Sequence, residues 1–296
     1  MSALRISYLG SPGSYSHQVA SDVFPGAELV GQASFGDVVG ACERGETDYA
    51  VMPVENSIAG RVPDVHRILL NIALFIRGEY ILRIQHCLLG PAIADPSTNG
   101  RIERIYSHDQ GFAQCSRFLA RHFPAAQHVR TDDTASAVRL VAQAGEPTSA
   151  AIGSMASAVA YGARVIAENI ADLGNNFTRF FILERPTDTP PASEPDITTL
   201  IFQTDHRPGA LLDALTCFAR ADINVTKLET YPISDAQALP TFYIDVGAGL
   251  RDPRLEQALA ALEGAARQIK LLGSYKASDQ RSFSSGFLPT QLGSAR

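Results

Sequence analysis

From residue 4 to about residue 184, short apolar runs alternate with stretches of helical period, and a proline-rich segment then stops the alternation. Strands joined through helices lie side by side as parallel neighbours, so this pattern predicts an α/β fold with a mainly parallel sheet. Leu4 to Leu9, Tyr49 to Val54, Leu74 to Leu89, Arg104 to Ser107, Ala150 to Ile152 and Phe180 to Leu183 read as strands. Ser16 to Phe24, Phe35 to Arg44, Val62 to Leu70, Gln110 to His122, Thr134 to Ala144 and Ser154 to Tyr161 read as helices.

The segment Arg185 to Asp196 carries Pro186, Pro190, Pro191 and Pro195 and predicts an extended connection. Beyond it the pattern restarts. Strands are expected at Thr198 to Gln203, Asn224 to Tyr231, Thr241 to Val246 and Ile269 to Tyr275, with helices at Gly209 to Arg220 and Pro253 to Ala266. That order is βαββαβ, the ferredoxin-like arrangement. The expected organisation is a first region over 4–184, a linker over 185–196, a small domain over 197–276 and a loosely ordered, Ser/Gly/Gln-rich tail over 277–296.

A formal charge of −6 with no basic run excludes a phosphate-backbone reader, so no nucleic-acid partner is expected. Cys42, Cys87, Cys115 and Cys217 form no CxxC pair, and their spacing suits neither a disulfide framework nor a zinc site. They read as core thiols in a reducing compartment. The start, Met1 to Leu9, reads as a strand rather than a leader, and no run of membrane length occurs, so the expectation is a cytoplasmic chain with no membrane partner. His66, His86, His122 and His128 lack ligand spacing and read as surface or core residues, with no metal expected.

Three polar clusters each follow an apolar strand and precede a helix: Gly10 to His17, Val54 to Ser57, and Ser107 to Gln110. In open α/β sheets, ligands bind beyond the carboxyl ends of strands, where helix N–H groups and hydroxyls receive anions. Any one cluster alone reads as a helix cap rather than a ligand site. Three at equivalent places favour a shared cleft. Gly10 and Gly13 lack the dinucleotide spacing, so no nicotinamide site follows. A fourth cluster, Asn176 to Phe180, sets Thr178 and Arg179 between aromatics. Arg179 reads either as an edge arginine packed on phenylalanine or as a bidentate carboxylate clamp, with Thr178 pointing into the same cleft.

Together these segments resemble the prephenate dehydratase family. The resemblance rests on Gly10 to His17, on Val54-Glu55-Asn56-Ser57 with Ile58-Ala59-Gly60, and on Ser107 to Gln110 with Gln114-Cys115. It extends to Asn176 to Phe180 and, in an ACT-like domain, to Gly209-Ala210-Leu211. It covers about residues 4 to 276. Two positions depart from the pattern: Asp109 stands where proline is usual, and Tyr231 follows Glu229-Thr230 where arginine is usual.

The resemblance implies a two-lobed, type 2 periplasmic-binding-protein-like catalytic region followed by a ferredoxin-like ACT domain. Lobe 1 would take residues 4–80 and 165–184, and lobe 2 residues 81–164. It implies loss of carbon dioxide and hydroxide from prephenate to give phenylpyruvate, without cofactor or metal, in a monofunctional chain. The catalytic residues would be Thr178, Glu55, Ser107 and His108. Glu55 stands either as a proton source or as an ionised group orienting Asn56 or Ser57. Substrate would be bound by Ser14, Asn56, Ser57, Gln110, Asn176, Arg179 and Phe180. Phenylalanine, as feedback effector, would meet Gly209, Ala210, Leu211, Leu212, Asn224, Glu229 and Thr230 between ACT domains of a homodimer or homotetramer. Arogenate dehydration, with an amino in place of a keto side chain, and a purely amino-acid-binding sensor are the alternatives.

Overall fold

The computed structural model describes residues 3–92, 101–187, 193–231 and 239–282. Pro190 and Pro191 of the linker, Pro232 of the effector motif and the tail beyond residue 282 lie outside the described residues. The chain divides into two compact units. The first holds the chain up to Val65 together with Tyr80–Phe180, and the second holds His66–Glu79 and Phe181–Asp279.

The first unit opens with β1 (Arg5–Leu9), α1 (Tyr15–Val23), β2 (Glu28–Gln32), α2 (Phe35–Glu43), β3 (Tyr49–Asn56) and β4 (Gly60–Arg61). Helix α3 (Pro63–Leu69) and strand β5 (Phe75–Arg83) follow, and each passes between the units. Then come β6 (Cys87–Gly90), β7 (Arg104–Ser107), α4 (Asp109–Gln114), α5 (Ser116–His122), β8 (Gln127–Arg130), α6 (Thr134–Ala144), β9 (Ser149–Gly153), α7 (Met155–Tyr161) and β10 (Arg164–Ala167). Strand β11 (Phe177–Glu184) again passes between units.

Strands β2, β1 and β3 are parallel, as the βαβ pattern requires, and β11 lies beside β3. A second sheet has the order β10-β6-β9-β7-β8. It is mixed rather than mainly parallel: β7 runs parallel to β8 and β9, whereas β6 is antiparallel to both β9 and β10. The reason is connectivity. The chain enters this sheet along β6, and both of its neighbours there, β9 and β10, run the opposite way on either side of α7. Both faces are apolar in strict alternation. Leu88, Ile105, Ala150 and Ile152 face α4 and α5, while Cys87, Leu89 and Ala151 face α6 and α7.

The chain crosses between the two sheets of the first unit twice, at residues 84–86 and 168–176. The two crossings are pinned together by Ile84 N to Asn176 O at 2.8 Å, Ile170 N to His86 O at 3.0 Å and Gln85 Nε2 to Asn169 Oδ1 at 2.9 Å. Gly13 has φ +82°, and a Cβ there would lie 2.6 Å from Ser157 Cα. Only glycine lets this loop approach α7, where Ser154 Oγ donates to Gly13 O at 2.8 Å.

The second unit contains β12 (Ile197–Gln203), α8 (Ala210–Arg220), β13 (Val225–Thr230), β14 (Thr241–Val246), α9 (Pro253–Ala265) and β15 (Gln268–Tyr275), in the βαββαβ order. Its antiparallel sheet runs β13-β14-β12-β15. Leu200, Phe202, Phe242, Ile244 and Val246 pack one face onto Ala214 and Phe218 of α8 and Leu255, Ala258 and Leu262 of α9. Among the described residues, no helix is long and apolar enough to cross a membrane.

Candidate active site

The turn after β3 sets the geometry of the site. Asn56 Oδ1 accepts from the backbone amides of Ile58 at 3.0 Å and Ala59 at 2.9 Å. Such an Asx turn is local chemistry that asparagine favours. It also fixes which way the amide points, because backbone N–H groups only donate. Asn56 Nδ2 must then face Asn176 Oδ1 at 2.7 Å, Phe177 O at 3.0 Å and Thr178 Oγ1 at 3.0 Å.

The polarity propagates from there. Asn176 turns its Nδ2 to Gln114 Oε1 at 2.9 Å. Gln114 Oε1 also lies 2.7 Å from His86 Nε2, so neutral His86 carries its proton on Nε2. His86 Nδ1 is left to accept from the Tyr15 hydroxyl at 2.9 Å, a group that also lies 3.0 Å from Gln85 O. Burial holds the His86 imidazole below its ordinary range, against a smaller upward pull from Gln114. Burial likewise pushes the Tyr15 phenol well up. Both directions suit a neutral imidazole accepting from a protonated phenol. Two backbone amides thus orient six side chains, Asn56, Asn176, Thr178, Gln114, His86 and Tyr15, drawn from both sheets.

Ser57 completes the junction: its N–H donates to Phe177 O at 2.8 Å, its Oγ donates to Asn175 O at 2.9 Å, and it accepts from Phe177 N at 2.9 Å. Asn176 is buried and Thr178 half-buried. Thr178 Oγ1 receives the Asn56 amide, so its O–H is left to donate. Side chains alternate along β11, which sets Asn176 and Thr178 on one face and Arg179 on the other. Arg179 and Phe180 are 2% and 1% exposed. Thr178 and Arg179 therefore do not point into one cleft as a pair, although they are adjacent in sequence.

The other expected residues lie as follows. Ser14 caps α1, accepting from His17 N at 3.2 Å, and donates to Leu9 O at 3.3 Å. Glu55 is half-buried opposite Arg61 in the β3–β4 ladder. Ser107 is fully buried under Gly111, and among the described residues its hydroxyl has no hydrogen-bond partner. His108 caps α4 through Nδ1, 3.2 Å from Gln110 N, and Gln110 is exposed. The hydrogen bonds from α4 into the network come from Gln114, not from Ser107, His108 or Gln110.

The network also takes in Tyr15, His86 and Gln114, which were not among the expected site residues; a lone histidine before an apolar run carries no local sign of such partners. Of the effector residues, Gly209 has φ +80° at the start of α8, where Arg207 and Asp213 pair at 2.7 Å. Ala210 is buried, Leu211 packs on the core and Leu212 is exposed. Asn224 O accepts from Gly247 N at 2.9 Å, Glu229 pairs with Lys227 at 3.2 Å, and Thr230 ends β13. Tyr231 is turned inward and lies 6.1 Å from the His66 ring.

The fold defines a class: a two-sheet α/β region followed by a ferredoxin-like βαββαβ domain. Residues 6–188 match the family described as prephenate dehydratase, and residues 198–264 match the ACT domain. The chain belongs to the prephenate dehydratase family. It is 39% identical over 277 residues to a bifunctional chorismate mutase/prephenate dehydratase of Enterobacter agglomerans, covering 92% of this chain and 70% of that protein. It is 34% identical over 277 residues to a bifunctional N-acyl-homoserine lactone acylase/prephenate dehydratase of Komagataeibacter europaeus, covering 93% and 97%. A solved structure of prephenate dehydratase from Arthrobacter aurescens in complex with L-Phe is similar at a TM-score of 0.84 and 28% identity, over 94% of this chain and 91% of that one.

Proposed function

We propose that the chain converts prephenate to phenylpyruvate by decarboxylating dehydration, and that phenylalanine bound at the ACT domain restrains it. The observation that carries the reading is the Asn56 amide on Thr178 Oγ1. By occupying the oxygen as an acceptor, Asn56 leaves the Thr178 proton to be donated to a departing hydroxyl. A threonine hydroxyl is too weak an acid to surrender that proton outright at neutral pH. It acts as a preorganised donor whose bond strengthens as charge develops on the leaving oxygen.

Aromatisation of the ring drives the reaction, so the protein has to bind a dianion, assist one C–O cleavage and shelter one carboxylate from water. The start of α1, with Ser14 and its N–H groups, suits a carboxylate. Glu55 is the remaining acid in the β3 turn, and its role as proton source or as orienting anion is separated by Glu55→Gln, which keeps the shape and removes the titration. The L-Phe complex of the Arthrobacter relative supports the effector reading.

Phenylpyruvate formation by wild type and by Thr178→Val tests the proposal. The variant keeps the shape without the hydroxyl, and a loss of about 10²-fold or more in kcat is expected. A folded Thr178→Val protein with wild-type turnover removes the assignment. Turnover of arogenate but not prephenate by wild type moves the substrate, and failure on both leaves the sensor reading. Calorimetry with millimolar phenylalanine tests the effector, and no heat of binding there removes the regulatory part.

A further inference from the structure

Three chain segments pass between the units, and each adjoins the polar network. Helix α3 follows the β3–β4 turn that holds Asn56, β5 ends at Arg83 shortly before His86, and β11 begins just after Asn176 and carries Thr178. In the second unit one strand, β15, touches all three. Lys270 Nζ donates to the carbonyls of Leu69 at 3.3 Å, Leu70 at 3.0 Å and Ile72 at 2.7 Å, at the C-terminal end of α3. Gly273 pairs with Ile76 of β5. Tyr275 sits edge-on to Phe181 of β11 with ring centroids 6.0 Å apart.

Strand alternation alone would put Lys270 on one face and Gly273 and Tyr275 on the other. A bulge prevents this. Thr199 pairs with Gly273 but Leu200 pairs with Leu271, so Leu272 is the extra residue. One inserted residue reverses the face of everything beyond it. Lys270 opposite Ile201, Gly273 opposite Thr199 and Tyr275 opposite Ile197 therefore share the face turned away from α8 and α9.

The same face is stiffened by buried polar bonds. Tyr275 Oη lies 2.7 Å from Thr199 Oγ1, which is 2.7 Å from Asp245 Oδ1, and Tyr243 Oη donates to the same oxygen at 2.8 Å. Tyr243 in turn packs edge-on to His66 of α3 at 5.2 Å.

We infer that β15 is a positioning strand for the reaction: its bulge gathers Lys270, Gly273 and Tyr275 onto one face, where they fix the three segments that lead to Asn56, His86 and Thr178. The ammonium of Lys270 satisfies carbonyls that a helix end leaves open and neutralises the negative end of α3. Gly273 is required by close approach, since a Cβ there would meet Ile76 O at 2.3 Å. The inference rests on the proposed role of Asn56 and Thr178 in turnover.

The test compares Lys270→Met, Lys270→Arg and Gly273→Ala with Ile269→Val, a change on the helix-packed face of the same strand. Lys270→Met and Gly273→Ala are expected to lower kcat about tenfold or more, because sub-ångström displacement of reacting groups is costly. KM should stay within about twofold, Lys270→Arg should recover most of the rate, and Ile269→Val should keep wild-type kcat at a comparable loss of melting temperature. Hydrogen exchange supplies a readout that needs no substrate. The Ile58 and Ala59 amides, held by Asn56 Oδ1, should exchange faster in Lys270→Met than in wild type. Wild-type exchange there in folded Lys270→Met overturns the inference, as does a kcat loss shared equally by Ile269→Val. Wild-type protein inactive on prephenate and arogenate defeats the proposed function instead, and the exchange comparison still decides the role of β15.

Discussion

The side-chain amide of Asn56 and the hydroxyl of Thr178, 122 residues apart in the chain, are joined by a 3.0 Å hydrogen bond. Through it a turn chosen locally by one asparagine determines which way a distant threonine points its proton. Every partner downstream of Asn56 is oriented by the same choice.

Replacing Asn56 with Asp tests that dependence. The carboxylate still accepts from Ile58 and Ala59, but it now presents an acceptor to Asn176 Oδ1, Phe177 O and Thr178 Oγ1. Phe177 O keeps the Ser57 amide, but leaving the buried Asn176 Oδ1 unsatisfied costs about 1–3 kcal/mol, so the melting temperature should fall. We expect kcat to drop about 10²-fold, at least as far as in Asn56→Ala, measured by phenylpyruvate release. An Asn56→Asp enzyme faster than Asn56→Ala would show that amide polarity is not what matters.

The burial of His86 predicts a pH-dependence of stability with a definite sign. Burial lowers its pKa from 6.5 in the folded chain. An unfolded chain takes up this proton near its ordinary value while the folded chain resists it. Stability from neutral His86 is therefore full above the ordinary value and is lost as pH falls through the depressed one. His17 shifts in the same direction, so the informative quantity is a difference between proteins. His86→Gln should melt lower at neutral pH yet lose less melting temperature between about pH 7 and pH 5. Equal slopes for the two proteins would contradict the assignment.

Gly111 packs against Ser107. A Cβ at residue 111 would lie 2.3 Å from Ser107 Oγ, so Gly111→Ala should destabilise by about 1–3 kcal/mol in denaturant unfolding. Ser107→Ala removes that oxygen. The double variant should recover much of the loss, giving a non-additive cycle. Additive effects would mean the clash is relieved elsewhere.

Cys115 is fully buried and its thiol is pushed up to about 12, chiefly by burial. Cys42 and Cys87 are buried too, and Cys217 is partly exposed. A thiolate-specific disulfide reagent at mild alkaline pH should label at most Cys217 in the folded protein, and all four of Cys42, Cys87, Cys115 and Cys217 after denaturation. Rapid native labelling of more than one thiol would show that these sites open.

Much of the fold was legible in the sequence where a segment carries its own pattern. Arg104 to Ser107, Thr134 to Ala144 and Thr241 to Val246 form the expected elements with the expected ends. Strands β2, β8 and β10 were not legible. Gln127–Arg130, for instance, is polar and largely exposed, and it becomes a strand because β7 offers a parallel edge. The expected single helix from Gln110 to His122 is two helices. Asp172, brought in from a distant segment, accepts from Ser116 Oγ and from the Arg117 and Phe118 amides and starts a new helix there.

By itself the sequence determined the alternating first region, the βαββαβ order of the second, and the Asn56 turn, because these depend on periodicity and on bonds within a few residues. Only the tertiary structure decided that His86 and Tyr15 join the network, and that a bulge at Leu272 brings Lys270 onto the face of Gly273 and Tyr275. Each of those depends on which backbone groups meet across long separations, and register and burial are set only when the strands pair.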